Sequence, residues 1–157
     1  MTRQIHKPAD TEYPDDLWEV AIKAIIFNPE KTKVLLPLYD YGIYGMVGGH
    51  LDHGENFDET LRREIKEEIG VDFAGEITEV TTIKREYARQ PDNRESHKIY
   101  IIYSLILPED TELSIEKGGE SIVSLDWVPL DDIFSDKLNI FEGYKTAIKK
   151  ALERKEK

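Results

Sequence analysis

GGHLDHGENFDETLRREIKEEIGV, residues 48–71, is the stretch around which the rest of the chain is arranged. Phe57, Leu61, Ile65 and Ile69 recur every four residues and form one apolar stripe of an amphipathic helix. Asn56 stands where an N-cap belongs, and Glu59 follows three residues later, as in a capping box. Gly70 comes directly after the last periodic residue, where a left-handed cap commonly ends a helix. The pattern predicts a helix over 57–69.

Glu64, Glu67 and Glu68 stand at i, i+3 and i+4, so they share one face of that helix. At about 100° per residue this face lies beside the apolar stripe, which brings the carboxylates to the edge of the buried surface. Arg63 precedes Glu67 by four residues and can pair with it. Taken alone, the cluster also describes a solvated acidic face. The segment before it adds weight to a site. Gly48, Gly49 and Gly54 make a flexible loop whose backbone can approach a ligand closely. A loop carbonyl joined by several carboxylates is the oxygen-rich set a hard divalent cation prefers.

With those residues placed, the stretch resembles the Nudix box, G-x5-E-x7-R-E-U-x-E-E-x-G-U, where U is a bulky aliphatic residue. Gly49 opens it, Glu55 follows, and Arg63, Glu64, Ile65, Glu67, Glu68, Ile69, Gly70 and Val71 complete it. Every specified position matches. The resemblance implies an α/β/α sandwich with a mixed sheet between helices. It implies hydrolysis of a nucleoside diphosphate linked to another group. It also implies metal ligation by Glu64, Glu67, Glu68 and the Gly49 carbonyl, with Mg2+ as the ion and Mn2+ as a substitute. Arg63 would orient the glutamates, Glu55 would brace the loop, and Gly54 and Gly70 would serve the motif's backbone. The pattern gives His50 and His53 no ligand role, so both are expected at the surface or in support.

The composition fits this reading. The chain has 157 residues and is expected to be a single Nudix domain, with 1–16 as an N-terminal arm. Its formal net charge is −11, which argues against a nucleic-acid polymer as partner. A nucleotide substrate stays compatible, because a bound metal offsets local negative charge. There is no cysteine, which excludes disulfides, zinc thiolates and thiol nucleophiles. It also weighs against the isopentenyl diphosphate isomerase branch of the same fold. Without a signal-like segment or an apolar run of membrane length, a cytoplasmic protein with no membrane partner is the expectation. A homodimer is the family-level expectation.

Outward from the box, residues 17–27 and 34–38 read as strands of a hairpin, with a turn at 28–31. Val20, Ile22, Ala24 and Ile26 share one strand face. Residues 39–46 are rich in tyrosine and glycine, and Tyr39 and Tyr44, with Tyr41, are candidates for stacking on a base. Val47 stands where the family often carries proline. Residues 76–89 read as a strand. Tyr87, sixteen residues past Val71, falls near the place of a substrate-site tyrosine in relatives acting on diadenosine polyphosphates. Pro91 falls in the following loop, later than the proline associated with ADP-ribose hydrolases. Residues 97–107 form the most apolar strand, expected to be central, and 121–128 form another. In the loop between them Glu120, then Glu116, is the candidate for a further acidic catalytic residue. Residues 141–155 read as a helix that covers the second face of the sheet.

The expected function is metal-dependent hydrolysis of a pyrophosphate bond, with a small nucleotide as partner. A nucleoside triphosphate is the leading substrate, as in MutT-like members. Dinucleoside polyphosphates, ADP-ribose and nucleotide sugars are the alternatives within the same chemistry. A nucleotide-binding sensor that does not hydrolyse is the alternative from another class.

Overall fold

A computed structural model describes residues 18–89, 94–115 and 122–154. In chain order these form β1 (Trp18–Phe27), β2 (Lys33–Tyr39), β3 (Val47–His50), α1 (Phe57–Ile69), β4 (Thr78–Arg89), β5 (Arg94–Ile106), β6 (Ile122–Pro129), α2 (Leu130–Phe134) and α3 (Glu142–Glu153). The sheet order is β4-β5-β1-β2-β6, and β3 also pairs with β1. β1 and β5 run parallel from Trp18↔His97 to Phe27↔Ile106, and the other pairs are antiparallel.

β1 is apolar on both faces, so it needs cover from both sides. Ile22, Ala24 and Ile26 pack toward Leu61, Ile65 and Ile69 of α1. Ala21, Ile25 and Phe27 pack toward Tyr144, Ala147, Ile148 and Ala151 of α3. The mixed sheet therefore lies between α1 and α3, the expected α/β/α arrangement. β5 sits between β4 and β1, an interior position as its composition requires.

Four details differ from the sequence reading. The hairpin of β1 and β2 is paired at Phe27↔Val34, and further along β1 the neighbour is β3. Gly48 and Gly49, read as part of a flexible loop, lie in that strand. Val47 is fully buried in the core while Gly48, at φ +136°, lets the chain lie against β1. A Cβ at Gly48 would come within 2.0 Å of the Ile22 carbonyl oxygen. The glycines thus serve close backbone approach rather than looseness. Phe57, counted in the apolar stripe, is 39% exposed, and the buried stripe begins at Thr60 and Leu61. It sits at the first helical position, beyond the edge of the sheet's cover. The last helix begins at Glu142, with Phe141 as its N-cap. Among the described residues no helix is long and apolar enough to cross a membrane.

Candidate active site

The helix that carries the acidic cluster is closed at both ends. The Asn56 side chain accepts the Glu59 N–H at 2.8 Å and donates to the Glu59 carboxylate at 2.9 Å. Gly70, at φ +74°, is a left-handed C-cap whose N–H reaches the Lys66 carbonyl. The next turns are held by Arg62, which pairs with Asp58 at 2.7 Å and donates to the carbonyls of Phe73 and Gly75. With Leu61, Ile65 and Ile69 fully buried, Glu64, Glu67 and Glu68 project from the edge of the helix nearest β3.

Arg63 is the centre of the charge network. Its Nε and Nη2 form a fork on Glu55, at 2.9 and 3.0 Å. Nη1 donates to Glu64 at 3.0 Å and to Glu67 at 3.1 Å. Nη2 also lies 3.2 Å from Asp52 and 3.4 Å from the His50 carbonyl. The hydrogen bond from Arg63 holds the Glu55 carboxyl below its ordinary range against the opposing effect of burial, and Thr60 adds a second bond at 3.2 Å. The same bonds push the Arg63 guanidinium further up. Glu64 behaves differently. Burial raises its carboxyl above the ordinary value, Arg63 opposes this, Glu67 adds to it and Lys23 opposes it.

The paired glycines meet this network from the strand side. Gly48 N–H donates to Glu68 at 2.8 Å, while the Gly48 carbonyl accepts from Lys23 Nζ at 3.0 Å. The two peptide groups that flank Gly48 are thereby held, one from α1 and one from β1. Gly49 faces the Glu64 carboxylate so closely that a Cβ there would lie 2.5 Å from it. Any side chain at residue 49 would have to displace Glu64.

The structure therefore brings Gly49, Glu55, Arg63, Glu64, Glu67 and Glu68 together. Gly54, at φ +88°, turns the loop between β3 and α1. His50 points away from the glutamates and lies 3.1 Å from Glu19. Tyr44 donates its hydroxyl to Asp126 at 2.8 Å and bridges Leu38 and Ile140. Burial, then the Asp126 bond, lifts its pKa to about 12. Tyr39 stacks on Tyr41, with ring centres 5.5 Å apart. Tyr87 lies on β4, two strands from β1, beside Arg85 and Lys98. Glu120 and Glu116 lie outside the described residues.

Two contacts escaped the sequence reading. Lys23 anchors the Gly48 and Met46 carbonyls, and its signal was present as a lone charge inside an apolar strand. Asp52 joins Arg63 from the loop, and nothing in its spacing marks it out.

The model of the NUDIX domain matches residues 17–150, most of the chain. The chain belongs to the Nudix hydrolase family. Nudix hydrolase 6 of Arabidopsis thaliana is 25% identical over 132 residues, covering 76% of this chain and 42% of the plant protein. This chain thus spans less than half of that relative. The nucleoside triphosphatase NudI of Escherichia coli O139:H28 is 29% identical over 105 residues, covering 63% of this chain and 70% of NudI. The NUDIX domain of Shewanella oneidensis NrtR, solved in complex with ADP ribose, superposes with a TM-score of 0.69 at 20% identity, covering 95% and 93% of the two chains. At that identity the superposition establishes the fold.

Proposed function

We propose that this Nudix protein hydrolyses a pyrophosphate bond in a nucleoside diphosphate linked to another group, with Mg2+ as its ion and Mn2+ as a substitute, and that its substrate is a nucleoside triphosphate. One observation carries the proposal: the Gly48-Gly49 backbone is docked on Glu64 and Glu68 while Arg63 gathers Glu55, Glu64 and Glu67. A solvated acidic face would need no such framework.

The residues fit a hard cation by their chemistry. All the donors are oxygens, and Glu64 is a carboxylate whose ionisation burial disfavours, so it gains from a nearby cation. As placed, no three His, Asp or Glu side chains among the described residues converge on one point. Arg63 spans them instead. Glu64, Glu67 and Glu68 are neighbours on one helix face, so rotation of side chains released by Arg63 brings their oxygens together. A bound Mg2+ would neutralise phosphate oxygens and lower the pKa of a water it binds.

We assign Glu67 and Glu68 as principal ligands, with the Gly49 carbonyl beside them. Glu64 is assigned as ligand and as acceptor of the proton from the attacking water. Glu120 is the second candidate for that base. Arg63, forked on Glu55 and bonded to Glu64 and Glu67, would orient the glutamates and keep the loop against the helix. Phosphoryl chemistry of this kind asks the protein chiefly for position and charge. Tyr39 and Tyr87 are assigned to the substrate side. Tyr44, with its hydroxyl given to Asp126, would shape the wall.

The name of the E. coli relative, a nucleoside triphosphatase, supports the substrate proposal. Release of phosphate and pyrophosphate from a panel of nucleotides, with Mg2+ or with EDTA, tests it. Turnover of nucleoside triphosphates that EDTA abolishes is expected. A preference for ADP-ribose or dinucleoside polyphosphates would replace the substrate. Binding without turnover of any compound would make the chain a sensor.

A further inference from the structure

We infer that Lys23 is a positioning residue for the metal site: its ammonium, donated to the Gly48 and Met46 carbonyls, fixes the glycine strand against which Glu64 and Glu68 rest, and so raises the affinity of the carboxylates for a divalent cation. The inference rests on the proposal that these glutamates hold a metal.

A lysine is out of place in this part of β1. Every other residue from Val20 to Phe27 is apolar, and its neighbours Ile22 and Ala24 are buried. Lys23 itself is half-buried. Withdrawing an ammonium from water costs free energy, and an apolar side chain would serve a core strand better. The hydrogen bonds of this ammonium go to backbone carbonyls, Gly48 at 3.0 Å and Met46 at 3.4 Å. The Tyr100 ring lies 5.8 Å from Nζ.

The register explains why the ammonium arrives there. Lys23 stands directly opposite Gly48. A Cβ at Gly48 would lie 2.8 Å from the Lys23 Cα, so the two backbones meet with no side chain between them. The Leu51 N–H bonds the Val20 carbonyl, and in an antiparallel ladder bonded and non-bonded pairs alternate. Lys23 and Gly48 are therefore a non-bonded pair, and the ladder does not hold the polar groups of Gly48. Three consecutive peptide groups are held by side chains instead. The Met46 and Gly48 carbonyls accept from Lys23, and between them the Gly48 N–H donates to Glu68. Gly48, at φ +136°, sets few steric limits of its own on their direction. Glu68 is a carboxylate that an ion would recruit. Lys23 is the partner that stays. Gly49 comes next in the chain and lies against the Glu64 carboxylate, so a shift of this strand moves the wall behind Glu64 and the Gly49 carbonyl together.

Charge alone would act in the opposite direction, since an ammonium repels a second cation. That effect is the smaller one. Burial, Arg63 and Glu67 each act on the Glu64 carboxyl more strongly than Lys23 does.

Lys23→Met in the full chain keeps most of the side-chain volume and removes the donors. Amide hydrogen exchange of the metal-free protein, followed by NMR, should show the Gly48 N–H exchanging about tenfold faster, with the core amides of Ile25 and Ile102 unchanged. Titration with Mn2+, with the free ion followed by EPR, should show binding weakened about tenfold, the scale of loss when the support behind a metal ligand is removed. A role confined to packing would shift Tm and leave Mn2+ affinity where it was. A role as a repelling charge would tighten Mn2+. Either result overturns the inference, as does an unchanged Gly48 amide. If Lys23→Met does not fold, the parent decides: its Lys23 ammonium protons should exchange slowly enough to be seen by NMR, and exchange as fast as that of an exposed lysine overturns the anchoring. A parent that binds no Mn2+ removes the metal site and this role with it. Equal binding by parent and variant removes the role alone.

Discussion

Arg63→Met removes the cation on which the glutamate network converges, and its cost can be worked from the geometry. Arg63 is 27% exposed and Glu64 14%, so the 3.0 Å bond between them is shielded. A hydrogen bond between charged partners is worth about 1.5–3 kcal/mol. Glu67 is 41% exposed and contributes at the surface scale of about 0–1 kcal/mol. With the fork on Glu55 added, at 2.9 and 3.0 Å and 21% exposed, we therefore expect a loss of at least about 2–3 kcal/mol in the metal-free protein. For a chain of this size that lowers Tm by about 4–12 °C. Much of the loss arises because a desolvated Glu64 carboxylate is left beside Glu67 without its cation, and Glu55 loses the same partner. Adding Glu64→Gln should therefore recover about half of the deficit, since the amide removes the buried charge. Thermal unfolding of the parent, both single variants and the double variant in EDTA measures this. A Tm within about 1 °C of the parent for Arg63→Met, or no recovery in the double variant, would refute the argument.

Other positions give independent tests. Gly48→Ala demands a β-carbon at φ +136° within 2.0 Å of a carbonyl oxygen, so urea unfolding should show a loss of at least about 3 kcal/mol. Ile65→Ala empties a fully buried position between α1 and β1, with an expected cost of about 2–5 kcal/mol in the same assay. Asp58 supplies a pH test. The bond from Arg62 holds its folded-state carboxyl below the ordinary value of 3.8, so the stabilisation is present above that value and fades as pH falls through the folded one. Arg62→Ala should flatten that part of the stability profile. An unchanged slope would remove the pair from the account.

The helix was legible because its information is local. A four-residue apolar repeat, an asparagine before it and a glycine after it set α1, and the caps form as that pattern requires. The meeting of Arg63 with Glu67 was legible for the same reason, since i and i+4 are adjacent on any helix. β3 was not, because two glycines argue against a strand unless the neighbouring backbone is known to lie within van der Waals reach. Phe57 fitted the helical period but falls where the sheet no longer covers the helix. The anchoring of Gly48 by Lys23 was hidden most completely. It joins residues 25 positions apart on different strands, and their pairing depends on the register of β1 against β3, which no short pattern encodes.

The central claim is that the carboxylates of α1 make this chain a metal-dependent hydrolase. Glu68→Gln addresses it most directly, because a glutamine oxygen can still accept the Gly48 N–H at the same place while the charge is gone. The measurement is kcat/KM for the best nucleotide substrate across a range of Mg2+ concentrations, for the parent and Glu68→Gln. The account predicts activity that requires Mg2+ in the parent and falls at least about a hundredfold in a variant that folds normally. A variant that matches the parent at saturating Mg2+ would contradict it.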